Sequence, residues 1–149
     1  MTRARIAVLA SGGGSNLQAL LDYFAALGEQ RAGDVVLVAA DRADAGALQR
    51  AARAGIPTAT LPSHREPDAQ SADDLLTDHD VDLVVLAGYM QYVPHEVTQR
   101  YPGRIVNVHP ALLPAFGGPF FLAPAEEEVR RRTLSIAIQP LSGRRIGLL

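Results

Sequence analysis

Five short apolar runs, each continuous and not alternating, are the feature that most constrains what this chain can fold into. They are RIAVLA (residues 5–10), VVLVAA (35–40), PTATL (57–61), VDLVVLAG (81–88) and RIVNV (104–108). An unbroken apolar run suits a strand covered on both faces, the setting of a parallel sheet with helices on either side. The segments between the runs have helical spacing. Strands alternating with helices require right-handed crossovers, so the expected fold is α/β, a doubly wound and mostly parallel sheet. PTATL is the weakest of the five, because its proline fits only a strand start or an edge.

Residues 15–27 place Leu17, Leu20, Leu21 and Phe24 on one helical face, with Ser15 or Asn16 suited to start the helix and Gly28 to stop it. Residues 43–54 are alanine-rich and end at Gly55, and a shorter helix fits within 68–78. Pro94 suits the first turn of a helix reaching about Arg100. In such sheets ligands bind beyond the carboxyl ends of the strands where the winding reverses, commonly between the first strand and the fourth. Glycines follow both of those runs, at Gly12, Gly13 and Gly14 and at Gly88.

With 149 residues the chain has the size of one domain with one core. Its formal charge of −2 argues against a surface made for phosphate backbones, so small molecules and not nucleic acid are the expected partners. The absence of cysteine removes disulfides and thiolate chemistry and fits a cytoplasmic location. The apolar stretch at the N-terminus is far too short to span a bilayer, and no membrane association is expected. No two histidines have metal-ligand spacing, so no metal is expected either.

Two stretches can carry chemistry. In SGGGSNLQ (residues 11–18) consecutive glycines let the backbone approach a ligand, and the helix that follows offers unpaired N–H groups to an anion such as phosphate. The dinucleotide pattern fails because Leu17 occupies the last glycine position, and the alternative is a tight turn with no ligand. In NVHP (residues 107–110) Asn107 and His109, two apart on a strand, project to one face, and Pro110 ends the ladder. An amide that can donate to a developing oxyanion beside a proton-exchanging imidazole suits acyl-type transfer, the alternative being a structural pair. His64, His79 and His95 lie in polar segments. Arg65, after the third run, is either a solvated charge or a group reaching toward an anionic ligand.

Taken together, SGGGSNLQALLD, VDLVVLAGYMQYVP and GRIVNVHPALLPAF resemble the phosphoribosylglycinamide formyltransferases, folate-dependent enzymes of purine synthesis, over about residues 5–119. The resemblance implies a Rossmann-like formyltransferase fold with 10-formyltetrahydrofolate as co-substrate. It implies a phosphoribosylglycinamide site at Gly14, Ser15, Asn16, Leu17 and Gln18. Folate contacts would come from Arg65, Met90, Gln91, Tyr92, Val93 and Asn107, although relatives often carry arginine where this chain has Gln91. The substrate amine would attack the formyl carbon, with Asn107 stabilising the oxyanion and His109 managing the protons.

The resemblance divides the chain into residues 1–119, the formyltransferase α/β portion, and an atypical tail at 120–149. Family members continue with a helix, an antiparallel strand and an Asp-x-Gly-Pro segment whose aspartate pairs with the histidine. Here no aspartate follows Asp82, and the tail reads as a replaced or frameshifted C-terminus. Impaired transfer is the expectation. The alternatives are a phosphoribosyl- or folate-binding remnant without transfer, or a formyltetrahydrofolate hydrolase in which water replaces the amine. Without the antiparallel strand, residues 104–108 would present an apolar edge through which the chain self-associates, unless LSIAIQPL covers it.

Overall fold

The computed structural model describes residues 2–108. Five strands alternate with four α-helices: β1 (Ala4–Ala10), α1 (Ser15–Leu27), β2 (Gly33–Ala40), α2 (Gly46–Arg53), β3 (Thr58–Thr60), α3 (Ala72–Asp78), β4 (Leu83–Ala87), α4 (His95–Arg100) and β5 (Ile105–Val108). A short 3-10 turn, Gly28–Gln30, follows α1. All strand pairs are parallel and the order is β3-β2-β1-β4-β5, so every apolar run forms a strand and the expected doubly wound sheet is present. The expectations that fall on His109 and on residues 110–149 lie outside the described residues, including any pairing along the outer side of β5.

The unbroken apolar runs are explained by two cores, one on each face of the sheet. Alternate residues of β1 serve opposite sides: Ala7 and Leu9 pack with Leu37, Leu61, Leu76, Val84, Val97 and Ile105, whereas Ile6, Val8 and Ala10 pack with Leu17, Val38, Ala47 and Ala51. α3 and α4 cover the first face, and α1 and α2 the second. β3 is an edge strand of three residues, as its proline demands; Pro57 precedes it and offers its carbonyl to the Val38 N–H at 3.0 Å.

Two helix starts differ from what the local sequence suggests. α1 starts from Gly14, not from a Ser15 or Asn16 cap: Gly14 is left-handed at φ 80° and no side chain caps the helix. Pro94 stands at the N-cap of α4 and not in its first turn. α3 has the side-chain cap that α1 lacks, since Ser71 Oγ accepts from the Asp74 N–H at 3.1 Å. At its other end the Arg5 guanidinium donates to the carbonyls of His79 and Asp80, satisfying acceptors the helix leaves open. A bidentate pair of Arg100 with Asp73, at 2.6 and 2.9 Å, ties α4 to α3 and holds the Asp73 carboxyl below the usual carboxylate range.

Candidate active site

Because all five strands are parallel, their carboxyl ends share one edge of the sheet, and the winding reverses between β1 and β4. In spatial order that edge carries Asp41 after β2, Ser11 and the glycines after β1, residues 88–93 after β4, and Asn107 near the end of β5.

The three glycines do different things. A Cβ on Gly12 or Gly13 would meet nothing within 4 Å, so these two leave open space for a ligand. Gly14 faces the other way: a Cβ there would lie 2.6 Å from the Ala47 Cα, and one on Gly46 would lie 2.9 Å from the Gly13 carbonyl oxygen. The start of α1 and the start of α2 are therefore packed backbone to backbone. Two hydrogen bonds fix the loop against α2, from the Ala47 N–H to the Gly12 carbonyl (3.1 Å) and from Arg50 Nε to the Gly13 carbonyl (2.7 Å). In a planar trans peptide the C=O and N–H point in opposite directions, so the N–H groups of Gly13 and Gly14 face away from α2. With the open N–H groups of the first turn of α1 they form a cradle of backbone donors suited to an anion.

Of the residues expected to hold phosphoribosylglycinamide, Ser15 and Asn16 are exposed at the helix start, while Leu17 is fully buried in the core. Leu17 can face a ligand only through its backbone N–H. The Gln18 side chain is turned along the helix, donating to Asp22 at 2.9 Å and accepting from Arg50 at 3.4 Å.

Side chains, not backbone packing, organise the neighbouring loop after β4. The Met90 N–H donates to Ser11 Oγ at 2.8 Å and Gln91 Nε2 donates to Asp41 Oδ2 at 2.9 Å. Val93 packs against the core, while the Met90 and Tyr92 side chains are about half exposed. Burial, and secondarily the charge of Asp41, push the Tyr89 phenol up to about 12, so it stays protonated near neutrality. Arg65 is exposed in the loop after β3, which is fastened to the same cluster by Ser63: its Oγ donates to the Asp41 carbonyl at 2.8 Å and accepts from the Arg65 N–H at 3.2 Å. Asn107 is partly buried and stands opposite Leu86 of β4. His109 lies beyond the described residues. The glycine loop, residues 90–93 and Asn107 are thus brought to one edge of the sheet.

Sequence reading included Ser11 in the glycine stretch without giving it a role of its own, and passed over Asp41 and Arg50. The signal for the first two was present, since each is a polar residue directly after a buried run and so sits at a strand's carboxyl end. Arg50 reaches its partner across 37 positions, and no local pattern marks it.

A parallel doubly wound sheet with a donor-lined glycine loop at its switch point defines an α/β protein whose carboxyl edge is suited to a small anionic ligand. More particularly, the chain belongs to the formyl transferase family, whose "Formyl transferase" domain matches residues 4–130. It is 43% identical over 121 residues to the chloroplastic phosphoribosylglycinamide formyltransferase of Arabidopsis thaliana, a match covering 78% of this chain and 41% of that protein. It is 40% identical over 122 residues to the phosphoribosylglycinamide formyltransferase of Haemophilus influenzae, covering 76% of this chain and 55% of the relative. The crystal structure of glycinamide ribonucleotide transformylase 1 from Symbiobacterium toebii superposes with a TM-score of 0.68 at 39% identity, over 92% of this chain and 62% of that one. The chain thus spans about half the length of these two curated relatives.

Proposed function

We propose that the chain acts in formyl transfer from 10-formyltetrahydrofolate to the amine of phosphoribosylglycinamide. The observation that carries this reading is the Gly12–Gly13 cradle at the β1–β4 switch point with Asn107 two strands along the same edge. It is supported by relatives that bear the phosphoribosylglycinamide formyltransferase name. The phosphate would sit on the backbone donors of Gly13 and Gly14 and the start of α1, with Ser15, Asn16 and Gln18 beside it. The folate would lie along residues 90–93 toward Arg65 and Asn107. As the amine adds to the formyl carbon, the carbonyl oxygen gains negative charge, and the Asn107 amide is the donor that would meet it. His109 would take the proton from the amine and return one to the folate nitrogen as the bond to the formyl group breaks.

Within these 149 residues no aspartate follows Asp82, so His109 has no aspartate downstream to favour its charged form. Reduced transfer by these 149 residues is part of this reading. The cysteine-free composition supports a cytoplasmic setting.

One assay separates the readings. Purified protein is given 10-formyltetrahydrofolate with and without phosphoribosylglycinamide. Formylation of the amine supports transfer, deformylation without the amine supports a hydrolase, and saturable binding with neither reaction supports a binding remnant. An absence of binding to both molecules would overturn the proposal.

A further inference from the structure

Three loops meet at one buried aspartate. Asp41, only 4% exposed, receives Gln91 Nε2 from the loop after β4 on Oδ2 at 2.9 Å, and its carbonyl receives Ser63 Oγ from the loop after β3 at 2.8 Å. Its other carboxylate oxygen, Oδ1, is buried and meets no donor among the described residues. Buried polar atoms are nearly always paired, and a lone acceptor in a carboxylate is costly enough to require a reason. One strand over, Ser11 is 8% exposed and takes the Met90 N–H at 2.8 Å. Ser11 is also the residue that opens the glycine loop. The Met90–Gln91 segment is thus held by two bonds to two strands, one of them leading directly into the cradle for the anion.

From this we infer that Ser11 and Asp41 are positioning residues that clamp the loop after β4 across the switch point, setting the separation of the two substrate subsites and coupling their occupancy. The claim rests on the formyl-transfer reading for what the subsites hold, but not for the existence of the clamp. Neither residue touches a reacting atom. Ser11 carries the loop's position into the glycines through the chain itself, and Asp41 holds the loop's outer side through the Gln91 amide. Gln91 Nε2 reaches one carboxylate oxygen, Oδ2, and leaves Oδ1 without a donor among the described residues, so the outer bond uses only part of what the carboxylate can accept. A guanidinium at that position would meet both oxygens. Gln91→Arg is therefore expected to close the clamp further, and Asp41→Ala to open it.

Two readouts test this with the full chain. The first needs no ligand: amide hydrogen exchange at Met90 should be at least about tenfold faster in Ser11→Ala, the loss expected when an N–H gives up its acceptor. Unchanged exchange at Met90 would overturn the clamp. The second is calorimetry with phosphoribosylglycinamide and with folic acid, a donor analogue that carries no formyl group to transfer, each titrated alone and in the presence of the other. In the wild-type chain each ligand should tighten the other about fivefold, and by linkage the factor must be the same in both directions. Ser11→Ala and Asp41→Ala should bring that factor close to one, and Asp41→Asn, which keeps an acceptor for Gln91, should retain most of it. If Asp41→Ala fails to fold, it is replaced by Gln91→Ala, which removes the same bond from the exposed side. Undiminished coupling in these variants would overturn the inference. If the wild-type chain binds neither ligand, the subsite assignment falls with the functional reading, while Met90 exchange still decides whether the clamp exists.

Discussion

The two loops that flank the switch point are built in different ways. The glycine loop is held by backbone: Gly14 and Gly46 lie against α2 and the end of the glycine run so closely that a methyl group has no room, and two carbonyls are tied down from α2. The loop after β4 is held by side chains, through one hydroxyl and one carboxylate, and leaves Met90 and Tyr92 about half exposed. A binding site framed by backbone tolerates almost no substitution where it packs, whereas one framed by side chains can be retuned by changing a single residue. Under the proposed function, the anion would fall to the first loop and any variation in the partner molecule to the second.

The largest expected effect tests the packing of the first loop. Gly14→Val forces a branched side chain into a left-handed conformation and against the Ala47 backbone, which should lower unfolding stability by about 4 kcal/mol. Gly12→Ala, in open space, should change stability by less than about 0.5 kcal/mol and yet weaken phosphoribosyl binding, because its methyl stands where the ligand approaches. Denaturant unfolding and calorimetry on the two variants would break the comparison if both proved equally destabilised.

A smaller effect belongs to the second loop. The chain contains no lysine, so in the alkaline range its four tyrosines are the side chains that titrate before arginine. With the Tyr89 phenol at about 12 when folded and near its ordinary value of 10 when unfolded, the folded state holds the proton more tightly between those limits. Its contribution is fully present below pH ~10 and is lost as the pH rises toward ~12, amounting to about 2 kcal/mol. Tyr89→Phe should flatten that part of the stability profile. An unchanged alkaline slope would mean that the phenol is not as enclosed as the β4 loop makes it.

The smallest effect falls on the tie between α2 and the glycines. Arg50→Met frees the Gly13 carbonyl, and the affinity for a phosphoribosyl ligand should drop about tenfold, with a stability loss of about 1 kcal/mol. Affinity for the folate analogue, read by the same calorimetry, should stay within about twofold. A variant that lost both ligands equally would show that the two loops do not divide the work as described.

The same contrast explains what was legible in the sequence. Continuous apolar runs imply strands wherever both faces are buried, so all five strands were legible, including the short edge strand after Pro57. Gly28 stops α1 as a chain-local property, and that was legible too. The start of α1 was not, because Gly14 is required by Ala47, a residue distant in sequence, and Ser15 and Asn16 only resemble a cap locally. Similarly, Ser11 meets Met90 across 79 positions and Asp41 meets Gln91 across 50, distances over which spacing carries no information. The glycine cradle could be read because glycine and helix starts announce themselves. The clamp could not, because it depends on which strands become neighbours.

That neighbour order also shapes how the protein is made. β1, β2 and β3 adjoin one another in the order they leave the ribosome, and with α1 and α2 they can close a half-sheet early. The other side of β1 must wait for β4, since Ile6 pairs with Leu83, 77 positions later. Nascent chains therefore carry one open central strand through much of synthesis, a natural point for a chaperone to engage or for a misfolded pairing to start. The early half meets the late one along the line where the glycine loop faces residues 88–93. A molecule bound there would act as a staple across the seam, resisting the separation of the two halves and not merely occupying a hollow between them.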